Sequence, residues 1–373
     1  MASPRICSAE VCGKRRRGRG LFTDRTETFL KTFRFRVKDS ASGKHLSAAA
    51  RAVNHVWNHC NAMQIHALDR NQRWPNAAAF QASTKGASKG LMIPAQTVQG
   101  VCEEYLERRY CTRKPKLRWR GRRSLGWVPF KNQTIRVHDA VVRFNGRTIR
   151  LWRHRAVDGE IKTGSFGQDA RGRWYCNLVV EIPVRPRGCT AKIGIDLGLK
   201  ALATLSTGEK ITHPRAFREL ETRLAQAQRA NKVRLVRTIN AKIANARKDF
   251  LQKETTKLAD RFGVIMVGNV SASWQHQVNG KSATDASWGL FRNMLRYKAI
   301  ARGAVYVDVP EAWTTQVCSS CGSKPQGRPA GIADLEVRRW VCSDCGAVHD
   351  RDVNAAINIA RLGQQALAEG VLT

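Results

Sequence analysis

The chain has 373 residues, 42% of them apolar, and a formal net charge of +36 from 65 Lys+Arg against 29 Asp+Glu. That length predicts two to four folded units with real cores, and that charge predicts a polyanionic partner, chiefly nucleic acid bound through its phosphates. Ten Trp and eleven Cys argue against a short packing protein. No window approaches the roughly 18 apolar residues that would predict a membrane span, and the basic run Lys14–Arg19 has no apolar face to lay on a lipid surface.

Residues 1–26 read as a flexible basic arm. From Glu27 to Lys38, Phe29, Phe33, Phe35 and Val37 alternate with polar residues, as a half-buried strand requires. From Leu46 the period changes: Leu46, Ala49, Val53, Val56, Trp57, Cys60 and Met63 form one helical stripe. A second helix is expected from Pro94 to Cys111. The stretch Arg108–Arg123 then carries nine Lys/Arg and no acid. Within it Arg113, Lys114, Lys116, Arg118, Trp119, Arg120, Arg122 and Arg123 are the candidate nucleic-acid contacts. Tyr110 and Trp119 could stack on bases, but aromatics in such runs are expected in the core. Strands resume beyond it. Val141–Phe144 and Thr148–Trp152 flank Asn145-Gly146, a hairpin signal, and Ile161–Gln168 and Arg173–Pro183 flank a second turn. A helical insert thus interrupts a β-rich unit, closed by a proline-bearing linker at 183–188.

Beyond the linker the pattern is α/β. Strands are expected over Ala191–Asp196, Ala201–Ser206 and Lys210–Thr212. A long basic helical region follows from Pro214 to Phe262, broken near Asn231, with further phosphate contacts expected near Arg229–Lys248. Then come the strand Val264–Val267, a helix over Ser287–Arg302, the strand Ala304–Val309, a cysteine module at about 314–349 and a last helix from Asp352.

Cys318-x2-Cys321 and Cys342-x2-Cys345 are two knuckles, each followed by glycine, and read as a ribbon around one tetrahedral Zn²⁺. Four thiolates leave no position for a reacting water, so this zinc is expected to be structural. The other seven cysteines are irregularly spaced, which suits a reducing cytoplasm. Two further signals are acidic. Ile193–Gly198 is a strand ending in Asp196 and then glycine. His349–Ile359 begins a helix with Asp352 and the small pair Ala355-Ala356. An ordinary helix cap or turn accounts for either aspartate alone. Together, on either side of the ribbon, they suggest a two-metal nuclease, with carboxylates holding two Mg²⁺ (or Mn²⁺) ions.

Gly194-Ile195-Asp196-Leu197-Gly198, Thr314–Gly322 and Asp350–Ala356 resemble the nuclease half of the TnpB family, which accompanies insertion sequences and is similar to the ancestors of type V CRISPR effectors. The resemblance extends more loosely over the amino-terminal half. It implies a RuvC-type, RNase H-like nuclease domain at 189–313 and 350–373 with an inserted zinc ribbon at 314–349. Before it would lie a wedge-type β-barrel at 27–45 and 112–188, interrupted by a helical recognition domain at 46–111. It also implies a guide RNA, a DNA target cut beside a short flanking motif, and roles for Asp196 and Asp352 as the first and last catalytic acids. A bacterial, cytoplasmic protein associated with the nucleoid when bound to DNA follows.

One position departs from the family. Its usual glutamate would follow Val264–Val267, where this chain has Gly268-Asn269. Either another residue supplies the acid or the nuclease is inactive. Consecutive parallel strands end on one sheet edge, so Glu311, just after Ala304–Val309, is the candidate replacement. Asp308, expected to face away, and Asp285, on a loop, are its rivals. A nuclease-inactive RNA-guided repressor, a strand-joining transposase and a compact type V CRISPR effector remain the alternative functions.

Overall fold

A computed structural model describes residues 28–184, 188–198, 200–212, 216–269, 287–329, 334 and 336–370. The arm expected over residues 1–26, and Asp285, lie outside the described residues. The chain divides into two compact units at Pro183/Val184, within the proline-bearing linker.

In the first unit, β1 (Thr28–Val37) buries Phe29, Phe33, Phe35 and Val37, the residues its alternation selects. Asp39 then accepts a 2.6 Å bond from the Ser42 amide and starts α1 (Ser40–Asp69) six residues before the apolar stripe begins. A cap fixes a helix start independently of which face is apolar. Two short helices that the apolar periodicity does not signal, α2 (Ala77–Ser83) and α3 (Ala87–Leu91), lead into α4 (Ala95–Thr112). An irregular basic segment follows. The remaining strands are β2 (Trp127–Lys131), β3 (Ile135–His138), β4 (Val141–Phe144), β5 (Arg147–Trp152), β6 (Glu160–Gln168) and β7 (Trp174–Pro183). Asn145 (φ 48°) and Gly146 (φ 71°) form the tight turn between β4 and β5.

The sheet order is β2-β6-β7-β1-β5-β4-β3. Its two outer strands, β2 and β3, are joined by a single turn at Asn132–Thr134, so the sheet curls into a nearly closed barrel and hides its edges. Phe130, Phe144 and Phe166 meet inside it at ring-centroid distances of 5.1–6.2 Å. Each such ring contributes roughly 1.5–3 kcal/mol of burial.

The second unit is α/β. Its five-stranded sheet has the order β10-β9-β8-β11-β12, from β8 (Lys192–Leu197), β9 (Ala203–Leu205), β10 (Lys210–Ile211), β11 (Val264–Gly268) and β12 (Val305–Val309). Strands β8, β11 and β12 are parallel neighbours. The helical region is indeed broken at Asn231 (φ 51°), into α5 (Ala216–Arg229) and α6 (Val233–Arg261). Helix α7 (Trp288–Ala301) joins β11 towards β12, and α8 (Arg351–Ala368) closes the fold. Ile193, Ile195, Leu197, Ile265 and Val267 pack on one face with α6 and α7; Met266, Val307 and Val309 pack on the other with Ile359 of α8. A two-stranded ribbon, β13 (Arg339–Val341) with β14 (Val348–Asp350), lies just before α8.

Candidate metal centres and nucleic-acid surface

Small residues let α8 lie directly on β8. A methyl group on Gly194 would strike the Ala356 carbonyl and the Ala360 side chain. The Lys192 amine donates to Gln364 Oε1 at 3.2 Å, so the strand start faces the helix end and the two run antiparallel. From Gly194 to Asp196 the strand advances about 6.6 Å. From Ala356 back to Asp352 the helix recedes about 6 Å. Both acids therefore reach the same end of the sheet, and Asp196 shares the α8-facing side with Gly194, two residues before it.

The helix cap falls on Asp350, whereas an ordinary cap had been the simple explanation of Asp352. Asp350 Oδ1 accepts from the amides of Asp352 and Val353, both at 3.1 Å, and Lys210 Nζ lies 2.7 Å from its other oxygen. Asp352 is thereby left in the first turn, with the Arg338 guanidinium 3.4 Å away.

Strand β11 places Met266 beside Gly194, so Gly268, two residues on, comes beside Asp196 on the same face. Here Glu311 folds back. A methyl group built on Gly268 would overlap the Glu311 carboxylate, so the glycine leaves the space that this carboxylate fills. Asn269 donates to the Val309 carbonyl at 2.8 Å, and the following Pro310 has no N–H with which to extend the ladder.

The electrostatics follow from that crowding. Burial, then the nearby charges of Glu311 and Asp352, hold the Asp196 carboxyl well above its ordinary range, with Arg351 opposing them. Burial pushes Glu311 up to about 7 against the pull of Arg292, and its Oε1 is buried with no hydrogen-bond partner among the described residues. Crowded carboxylates with an unsatisfied oxygen suit a divalent cation, which prefers hard oxygen ligands. Asp308 is differently placed. It faces α7, where Arg292 Nη2 lies at 2.7 Å, and it also bonds Arg296 and the Tyr306 hydroxyl.

Among the described residues, the group whose ligand atoms all lie within 4.8 Å of one another is Cys318, Cys321, Cys342 and Cys345. The acids form a looser set. The Cys318–Cys345 and Cys321–Cys342 sulfurs are each 3.7 Å apart, close to the roughly 3.8 Å edge of a tetrahedron with 2.3 Å Zn–S bonds. Gly322 (φ 80°) and Gly346 (φ 73°) allow the knuckle turns, donating to the Cys318 and Cys342 carbonyls at 2.8 and 2.9 Å. His349, which the spacing did not single out, brings Nε2 to 3.0 Å from Cys318 Sγ and packs on Trp340. This cluster could hold zinc.

In the first unit Arg113, Lys114, Lys116, Arg118, Arg122 and Arg123 are exposed. Two expectations are corrected. Tyr110 and Trp119 are not core residues: they are 79% and 56% exposed, Tyr110 on the outer side of the last turns of α4 and Trp119 on irregular chain that crosses the surface. Arg120, grouped with the phosphate contacts, instead turns inward. It bonds Asn54 Oδ1 at 2.6 Å and the Leu125 carbonyl at 2.8 Å, with Trp57 and Trp127 rings within 6 Å. In the second unit Arg229, Lys232, Arg234, Arg237 and Lys242 line exposed positions of α5, α6 and the turn between them.

Two family models match the second half of the chain and the end of the first unit: "Probable transposase" over residues 177–274, and "Cas12f1-like, TNB domain" over residues 288–359. A Streptomyces pristinaespiralis protein, provisionally named an RNA-guided DNA endonuclease, is 39% identical over 240 residues. The match spans 60% of this chain and 58% of that one. The Escherichia coli protein InsQ, also provisionally named an RNA-guided DNA endonuclease, is 26% identical over 330 residues, 80% of each chain. Among solved structures, Cas12f1 in complex with its guide RNA and target DNA aligns with a TM-score of 0.57 at 13% identity. That alignment covers 87% of this chain and 83% of Cas12f1, and it shows a shared fold.

Proposed function

We propose that this chain, a protein of the TnpB family, is an insertion-sequence RNA-guided DNA endonuclease whose catalytic acids are Asp196, Glu311 and Asp352. The observation that carries the reading is the Glu311 carboxylate lying over Gly268. It stands beside Asp196, on the sheet edge that Asp352 reaches from α8. In this reading the second unit is a RuvC-type, RNase H-like nuclease domain with an inserted zinc ribbon, and the first is a wedge barrel carrying a recognition domain. The named endonuclease relatives and the Cas12f1-like fold support it.

Two Mg²⁺ ions held by the three acids would activate water and stabilise the departing 3′ oxygen. The chain's own residues position the rest. Trp288 Nε1 donates to the Gly198 carbonyl at 3.1 Å, fixing the backbone just after Asp196. Burial keeps Asp196 and Glu311 poorly solvated, so they favour a cation over staying charged alone. Sequence is read by guide pairing, while the basic surfaces hold phosphates without reading bases.

The cysteine cluster would bind one zinc as a fold element, since a four-thiolate site has no open position. Asp196 and Glu311 also weigh against an inactive repressor. A protein without chemistry gains nothing from burying like charges together.

The test is expression with the native flanking DNA, sequencing of copurified RNA, and reprogramming of its variable end. The reading predicts that Mg²⁺-dependent cutting follows the new sequence and is lost in Asp196→Ala. Cutting that ignores the guide would overturn it.

A further inference from the structure

Two residues beyond Glu311 stands a side chain that metal chemistry does not explain. Trp313 is 55% exposed, yet its backbone sits at φ 68°. A bulky residue in the left-handed region is an outlier that persists only where its surroundings determine it. They do so here. Thr314 donates to the Glu311 carbonyl from its amide at 3.2 Å and from its hydroxyl at 2.9 Å. The Trp313 carbonyl accepts from Gln316 and Val317 at 2.9 and 3.0 Å. Asn354 and Asn358 of α8 each donate to both the Thr314 and Val317 carbonyls, at 2.7–3.1 Å. The turn is thus clamped to the helix that carries Asp352, and the indole is held outward.

Burial does not motivate this arrangement, because the ring is mostly in solvent. A cation attends it: Lys324 Nζ lies 4.1 Å from the ring centroid, and Lys324 itself is exposed. An exposed aromatic face beside a cation suits a nucleotide, with the base on the ring and the phosphate near the amine.

We infer that Trp313 is a stacking platform that seats one unpaired DNA base beside the scissile phosphate, with Lys324 contacting the neighbouring phosphate. This rests on the nuclease reading above. It makes Trp313 a positioning residue: it fixes where the strand lies relative to Glu311 and leaves the chemistry to the acids. Because every base has a π-face, the seat holds DNA in register without reading sequence.

The test uses the full chain with its copurified RNA and a matched DNA target. Under saturating complex and Mg²⁺, Trp313→Ala is expected to slow single-turnover cutting about 5- to 150-fold, the range that corresponds to losing one stacked base. Trp313→Tyr keeps a ring and should stay within about threefold of wild type. A target with an abasic position at the seat should slow the wild type equally and Trp313→Ala no further, because the two changes remove one contact. Additive losses would overturn the proposal. So would an unchanged rate in Trp313→Ala, or loss of zinc in that variant, which would mark the ring as part of the ribbon fold.

A second arm does not depend on cutting. Asp196→Ala protein is irradiated with targets carrying 5-iododeoxyuridine at successive positions, and crosslinked peptides are mapped. Crosslinking of Trp313 from one position is expected; crosslinks confined to other residues, such as Trp119, refute the seat. If wild-type protein fails to cut while Trp313 still crosslinks, the nuclease reading fails and the platform stands.

Discussion

Cys318, Cys321, Cys342 and Cys345 come from two short knuckles, each closed by its own glycine turn, and their sulfurs gather within 4.8 Å. Asp196, Glu311 and Asp352 come from β8, the turn after β12 and the first turn of α8, and need the whole α/β unit to meet. The first cluster is assembled by local backbone geometry and the second by topology. The two should therefore fail differently. Losing a cysteine should damage folding, whereas losing an acid should spare the fold and remove chemistry, since burying those acids costs stability.

The largest effect is expected at the acids. Asp196→Ala or Asp352→Ala should lower Mg²⁺-dependent cutting by on the order of 10³-fold or more while RNA and target binding persist. Single-turnover cleavage and filter binding on the same preparations check both halves. Gly268→Ala, aimed at the space that Glu311 fills, should slow cutting by up to about 10²-fold through misplacement. Its zinc content should remain that of the wild type.

Cys318→Ser should do the reverse. Elemental analysis should find zinc lost, and thermal melting should show the ribbon destabilised, because the binding free energy of a structural zinc is folding free energy. Full zinc content with wild-type stability would dissolve the distinction between the clusters.

A smaller effect comes from Glu311 itself. Its folded pKa of about 7 is raised above the unfolded value. Its protonated form therefore stabilises the fold at low pH, and that contribution fades as pH rises through about 7. In buffer without added Mg²⁺, melts at pH 6 and pH 8 should differ by about 1–2 kcal/mol more in wild type than in Glu311→Gln, which cannot titrate.

The same contrast explains what was legible in the sequence. The cysteine spacing alone marks the four-thiol cluster, because its geometry is local. The β1 alternation and the Asn145-Gly146 turn were readable for the same reason. The start of α1 was harder to place: Asp39 caps it, and a cap lies outside the apolar period. The exposure of Tyr110 and Trp119 is not legible, because composition reports neither which side of α4 faces out nor whether the segment after it crosses the surface. Arg120 looks like its basic neighbours, and only the Asn54 and Trp57 positions on α1 distinguish it. His349 beside Cys318 depends on how the ribbon pairs, which no spacing states. Glu311 could be nominated from parallel-strand logic, but that it would fold over Gly268 required side-chain geometry.

The most direct measurement of the central claim compares single-turnover cutting by Glu311→Gln and Asp308→Asn with the wild type, in complexes carrying the same guide. Glu311→Gln keeps the shape over Gly268 and removes the charge, whereas Asp308 serves Arg292 and Arg296 on the opposite face. Lost cutting with retained target binding is expected in Glu311→Gln, and retained cutting in Asp308→Asn. Wild-type rates from Glu311→Gln would remove Glu311 from the site and leave Asp196 and Asp352 without their third acid.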